Sequence, residues 1–225
     1  MARPDQLCIY CGRALAATVD HVPPRLLLAP PYPPNLITVP ACKPCNQSFK
    51  ADDEYTRFIT NIDLRSAKHP DVVAKMPALI RSFQRPEAQR FRTSLLSRMV
   101  ESTILGPDEK PLGHQIHVDQ NRANATGARI VRGLTFAETG VPLRPNTTIK
   151  VAAKPGIVPS DPAILQFARL YTGCPDRRTR DVGQAFGYCA LFYPHFSAWF
   201  LFLYGHFTWL ATIDNKMGCG TSAAA

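Results

Sequence analysis

Two closely spaced cysteine pairs near the N-terminus constrain this chain more than any other feature. The pairs are Cys8-Ile9-Tyr10-Cys11 and Cys42-Lys43-Pro44-Cys45, and 30 residues separate them. Each Cys-x-x-Cys turn presents two thiolates within reach of one tetrahedral zinc ion. A closed set of four cysteines leaves no coordination position for water, so the expected zinc is structural. The alternative interpretation is a redox-active or incidental pair.

The composition predicts a folded intracellular protein with a polyanionic partner. Of the 225 residues, 45% are hydrophobic and 19% are charged, which is typical of a globular chain. Basic residues exceed acidic ones by 26 to 17, which favours DNA as a partner, although a basic chain can also simply be soluble. The first five residues lack the apolar run of a signal peptide, so we expect a cytoplasmic protein. In that reducing compartment Cys174, Cys189 and Cys219 would be ordinary thiols.

The hydrophobic pattern predicts an α+β protein in two parts. Residues 1–66 form a compact module rich in proline and cysteine, with a helix that starts at the acidic run Asp52-Asp53-Glu54. Residues 67–225 form a second α+β domain, whose role the sequence does not reveal. Its expected helices lie at about 70–83, 86–103 and 120–139, and its expected strands at about 114–118, 147–153 and 184–213.

The stretch from Tyr188 to Thr212 contains no Lys, Arg, Asp or Glu and must be tested against a membrane span. Pro194, Gly205 and the high content of aromatic and β-branched residues favour buried antiparallel strands that turn near Tyr193–Phe196 and break at Gly205. We therefore expect no membrane partner.

Between and after the cysteine pairs lie the residues that suggest chemistry. Thr18-Val19-Asp20-His21-Val22 precedes a proline-rich loop, Asn35-Leu36-Ile37-Thr38-Val39 follows it, and Asn46 comes directly after the second pair. This order resembles the ββα-metal core of HNH endonucleases, in which a strand ends in Asp-His and Cys-x-x-Cys-Asn opens a helix. The resemblance covers residues 8 to about 55. More loosely, the segments 52–55 and 133–140 are similar to bacterial HNH proteins of uncharacterised activity.

The resemblance implies metal-dependent hydrolysis of DNA phosphodiester bonds. His21 matches the general base, which takes a proton from the attacking water. Asp20 and Asn46 match the ligands of a catalytic Mg²⁺ or Mn²⁺, which stabilises the charge on the leaving 3′ oxygen. Asn35 matches the residue that orients the imidazole by a hydrogen bond.

This chain departs from the family pattern in two ways. Asn46 stands where histidine is usual. The stretch between Asn35 and Asn46 is about two residues longer than usual and contains Pro40. The alternative function is a non-catalytic zinc module that binds nucleic acid or protein, in which the Asp-His pair is only a strand end and Asn46 caps a helix.

Nearby cations are candidates for contacts with DNA. Arg25, Lys43 and Lys50 are close in sequence to the motif and could contact flanking phosphates, or could form an ordinary solvated surface. A second basic cluster at Arg177, Arg178 and Arg180 is expected in a loop, where it either contacts the DNA backbone or has no role.

Overall fold

The fold comes from a computed structural model of the chain, which describes residues 6–101, 103, 108–110, 114–156 and 159–214. Cys219 lies outside these residues. The helices are α1 (Lys43–Ser48), α2 (Lys50–Asn61), α3 (Pro70–Gln84), α4 (Gln89–Leu96), α5 (Gln120–Thr139) and α6 (Pro162–Gly173). The strands are β1 (Thr18–Val22), β2 (Ile37–Ala41), β3 (Met99–Glu101), β4 (His114–Ile116), β5 (Ile149–Pro155), β6 (Asp176–Val182), β7 (Phe186–Phe192), β8 (Phe196–Leu203) and β9 (Phe207–Asp214).

The N-terminal part is a two-stranded antiparallel sheet followed by helices. Strand β1 pairs with β2 from Thr18 opposite Ala41 to Val22 opposite Ile37. Helix α1 starts directly after Cys42, which takes the position before its first turn. Helix α2 begins at Lys50, two residues before the expected start, and its buried face carries Tyr55, Phe58 and Ile59.

The C-terminal half is built on a five-stranded antiparallel sheet with the order β5-β9-β8-β7-β6. The segment without charged residues forms most of β7, β8 and β9, and the chain turns at both sites that the sequence indicated. Trp199, Trp209 and Tyr188 are completely buried on the sheet face that α5 covers, where Trp209 Nε1 donates to the Ala123 carbonyl at 2.9 Å. Within the described part of the chain, no helix has the length and apolar character needed to cross a bilayer.

Helix α5 joins the two halves of the molecule. It starts after Asp119, whose carboxylate accepts a hydrogen bond from the Arg122 amide, and it ends at Gly140 with φ +71°. One face packs on β5 and β9 of the large sheet, and the helix also contacts β1, β2 and α2. Its buried Ile130, Val131 and Leu134 belong to one continuous core with side chains from both sides of residue 66.

Several elements differ from the sequence-based expectation. The helix expected over 86–103 is shorter, because the chain leaves α4 at Leu96 and forms β3, which pairs with β4. Helix α6 was not expected, and it covers the sheet face opposite α5, where Phe167 packs on Phe200 with ring centroids 5.6 Å apart. The arginines expected in a loop lie on edge strand β6, and Arg178 pairs there with Asp176 and Glu138.

Candidate functional site

The four N-terminal cysteines come together into one cluster. Their sulfur atoms all lie within 4.8 Å of one another, and the Sγ atoms of Cys11 and Cys42 are 3.9 Å apart. Four sulfurs at about 2.3 Å around one zinc ion would be about 3.8 Å apart, so the cluster has the dimensions of a tetrahedral site. The cluster could therefore hold a metal ion such as zinc.

Local backbone geometry explains why the thiols converge. The first pair lies on a tight turn in which the Gly12 amide donates to the Cys8 carbonyl at 2.8 Å, with Gly12 at φ +63°. The second pair flanks the first turn of α1. The Ile9 amide donates to the Pro40 carbonyl at 3.1 Å, which holds the first turn against the end of β2.

The surroundings of the thiols shift their pKa values in opposite directions. Backbone hydrogen bonds from Ala14 and Arg13 lower the pKa of Cys11 to about 6. Burial and the neighbouring thiols raise the pKa of Cys45 well above its usual value. A divalent ion would stabilise all four thiolates together, which their mutual repulsion otherwise opposes.

His21 lies on the outer face of β1. Side chains alternate along a strand, so Asp20 and Val22 face α5 while His21 faces the opposite side, next to the exposed Thr38 of β2. The ring is partly exposed. Its burial and the positive charge of Arg25 lower the pKa of His21, although Asp20 opposes this effect. The imidazole is therefore neutral at neutral pH and can accept a proton.

Asp20 does not fit the role of a metal ligand in this structure. It is 3% exposed, and each carboxylate oxygen accepts two hydrogen bonds. Oδ2 accepts from the Tyr10 hydroxyl at 2.5 Å and from Arg129 Nε at 2.8 Å. Oδ1 accepts from the His21 backbone amide at 2.8 Å and from Arg129 Nη2. Magnesium and manganese need such oxygens free to coordinate them, so Asp20 and His21 do not converge on a common ion here.

The two asparagines make structural hydrogen bonds. Asn46, on α1, donates through Nδ2 to the Val19 carbonyl at 3.1 Å and to the Thr18 hydroxyl at 3.3 Å, so it ties the helix to β1. Asn35 donates through Nδ2 to the Asp181 carbonyl at 2.8 Å. This bond connects the loop between β1 and β2 to the end of β6, and it directs the Asn35 amide to the large sheet instead of the His21 ring.

The three predicted phosphate contacts are exposed. Lys43 and Lys50 are exposed at the beginnings of α1 and α2. Arg25 is exposed in the loop after β1, where its guanidinium lies 4.0 Å from the centre of the Tyr32 ring.

Sequence reasoning missed the buried groups around Asp20. Asp53, assigned to a helix start, is 7% exposed and pairs with Arg129, and burial raises the pKa of Asp53 to about 6 despite that pairing. Burial, reinforced by Asp20, raises the pKa of Tyr10 well above its usual value, so its hydroxyl remains a donor. The position of Tyr10 inside the first cysteine turn was the available signal.

Comparison with known proteins adds no further assignment: no family model matches the chain, and no curated protein or solved structure matches it. The likeness to HNH endonucleases therefore stays a prediction that rests on the residues of the motif.

Proposed function

We propose that this protein hydrolyses phosphodiester bonds of DNA, with His21 as the general base. The observation that carries the proposal is the placement of His21, which is partly exposed, neutral at neutral pH and presented on a strand beside a cysteine cluster suited to zinc. The order of strand, strand and helix around it is the order implied by the motif.

The chain itself supplies three parts of such a reaction. The His21 imidazole would take a proton from a water molecule as it attacks phosphorus. The cations Arg25, Lys43 and Lys50 would hold the DNA backbone, since phosphate contacts need only positive charge and reach. The hydrogen bonds of Asn46 would keep β1, and hence His21, in place on α1.

A divalent ion would supply stabilisation of the charge on the leaving 3′ oxygen. Of its two proposed ligands, Asp20 is fully engaged by Arg129 and Tyr10, so we route no step through that ion. The zinc proposed at the four cysteines would have only protein ligands and would stabilise the fold.

A second candidate function is DNA binding without cleavage. It is favoured by the hydrogen bonds that engage Asp20, a predicted metal ligand, and by the hydrogen bond from Asn35 to Asp181, which directs the predicted orienting residue away from the His21 ring. In this case the cluster and the exposed cations would form a binding surface only.

A plasmid assay separates the two functions. Supercoiled DNA is incubated with the zinc-loaded chain, with Mg²⁺ or Mn²⁺ and without either, and nicking is followed on gels. His21→Ala should lower the nicking rate by about 10²–10⁴-fold. Thr38→Ala is the matched control, because Thr38 is the exposed partner of His21 on the same sheet face.

The outcomes are distinct. Nicking that His21→Ala abolishes and Thr38→Ala preserves, at equal zinc content, supports hydrolysis. Salt-dependent binding to DNA with no nicking under any condition supports the second function. A chain that neither binds nor nicks DNA contradicts both.

A further inference from the structure

A buried arginine lies beside two carboxylates, Asp20 and Asp53, of residues 1–66, which we call the N-terminal unit. Arg129, on α5, donates through Nε and Nη2 to the two oxygens of Asp20 and through Nη1 to Oδ2 of Asp53. Its guanidinium carbon also lies 4.5 Å from the centre of the Phe49 ring. All three guanidinium nitrogens of Arg129 therefore donate hydrogen bonds to carboxylates, and the guanidinium also lies over the Phe49 ring.

We propose that Arg129 is the resident cation of this carboxylate pair, and that Asp20 is consequently a positioning residue that fixes β1 on α5 and not the ligand of a divalent ion. The geometry is that of a bidentate arginine-carboxylate pair extended to a second acid, in which the planar guanidinium matches Asp20 with two parallel bonds.

Burial makes this arrangement persistent. With the guanidinium in place, the side chains of Arg129, Asp20 and Asp53 are 5%, 4% and 10% exposed, so a hydrated ion can reach the two carboxylates only where the guanidinium has been removed. Burial alone would lower the pKa of Arg129, but Asp53 and Asp20 outweigh it and hold the pKa above its ordinary value. The guanidinium therefore keeps its charge throughout the neutral pH range.

A divalent ion competes poorly with Arg129 for Asp20, because the ion pair between Arg129 and Asp20 is buried. A divalent ion could reach Asp20 only after the guanidinium leaves, and separating a buried ion pair would weaken the apparent affinity for that ion on the order of a thousandfold.

The two acids nevertheless have more hydrogen-bond acceptors than Arg129 fills. Among the described residues, Asp53 Oδ1 has no hydrogen-bond partner.

The same cluster joins three elements that are distant in sequence. Asp20 comes from β1, Asp53 from α2 and Arg129 from α5. The strand that carries His21 is thereby attached to the helix that packs on the large sheet. Arg129 thus acts on His21 through Asp20, whose carboxylate also accepts the backbone amide of His21.

Manganese binding tests this inference without any substrate, so its result is independent of whether the protein hydrolyses DNA. Free Mn²⁺ is measured by electron paramagnetic resonance during titration of the full-length, zinc-loaded chain. Wild type and Asp20→Asn should bind Mn²⁺ equally. Arg129→Met, which leaves two facing carboxylates with no cation, should gain one Mn²⁺ site with an affinity at least tenfold above wild type, and Asp20→Asn in that background should remove it.

Two results would overturn the inference. One is an Mn²⁺ ion bound by wild type and lost in Asp20→Asn. The other is a folded Arg129→Met chain, verified by circular dichroism and zinc content, that gains no Mn²⁺ site. Should Arg129→Met not fold, the comparison of wild type with Asp20→Asn decides the question.

Discussion

Replacement of Gly133 by alanine should push β1 away from α5. A Cβ atom at Gly133 would lie 2.6 Å from Cγ2 of Val22, the residue that follows His21 in β1. Since carbon atoms in ordinary contact are about 3.5–4.0 Å apart, the strand and the helix must separate by about 1 Å. Val22 is 1% exposed, so the surrounding core gives it little room to move aside.

The magnitude follows from two opposing terms. Overpacking a core costs about 1–3 kcal/mol, whereas Gly to Ala inside a helix contributes about 1 kcal/mol of stability. We expect Gly133→Ala to lower the free energy of unfolding by about 0–2 kcal/mol. Val22→Ala alone should cost about 2 kcal/mol, because it removes two buried methyl groups.

The double variant is the decisive measurement. The new methyl group of Ala at 133 would fill the space vacated by Val22, so the two changes should couple favourably by about 1–3 kcal/mol in urea unfolding. The control Ala125→Gly, at an exposed position of the same helix, measures helix propensity alone. Additivity within about 0.5 kcal/mol, or a Gly133→Ala chain that gains the full helix-propensity term, would refute the proposed contact between α5 and β1.

Two further predictions concern the cysteine cluster and His21. Cys45→Ser should lose stoichiometric zinc, measured by atomic absorption, and the N-terminal unit should unfold. The reason is that a structural zinc ion contributes on the order of 10 kcal/mol to the free energy of folding, whereas a whole domain is stable by only about 5–15 kcal/mol. The control Cys174→Ala, outside the cluster, should keep its zinc. Arg25→Gln should raise the pKa of His21, since the charge of Arg25 helps to lower it, and should therefore move the acid limb of the pH–rate profile to higher pH. Only the neutral ring accepts a proton, so activity is lost as the pH falls through the pKa of His21. A nuclear magnetic resonance titration in which Lys50→Gln changes the pKa of His21 as much as Arg25→Gln does would contradict the influence assigned to Arg25.

Short-range patterns in the sequence predicted the parts of the structure that depend on neighbouring residues. The cysteine cluster follows from two four-residue turns, and α5 follows from the spacing of Ile130, Val131 and Leu134. The strands around Gly205 follow from turn residues between apolar runs. In each case the local pattern and the tertiary packing favour the same structure.

The surroundings of Asp20 could not be predicted in this way, because its partners are distant in sequence. Arg129 is 109 residues from Asp20 and Asp181 is 146 residues from Asn35. An arginine between apolar helix positions usually extends to solvent, and nothing local indicates that this one pairs with two buried acids. The sequence motif therefore identified residues placed around β1, while the structure assigns two of them to long-range contacts.

The reach of α5 into the N-terminal unit limits how the chain can be divided. A fragment ending at residue 66 would keep every cysteine of the cluster. It would lack Arg129, so the carboxyl groups of Asp20 and Asp53 would have no counter-ion. It would also lose the hydrogen bond from Asn35 to the Asp181 carbonyl. Such a fragment would be expected to chelate zinc yet hold its first strand loosely. Any fragment used in functional work should accordingly extend through β9.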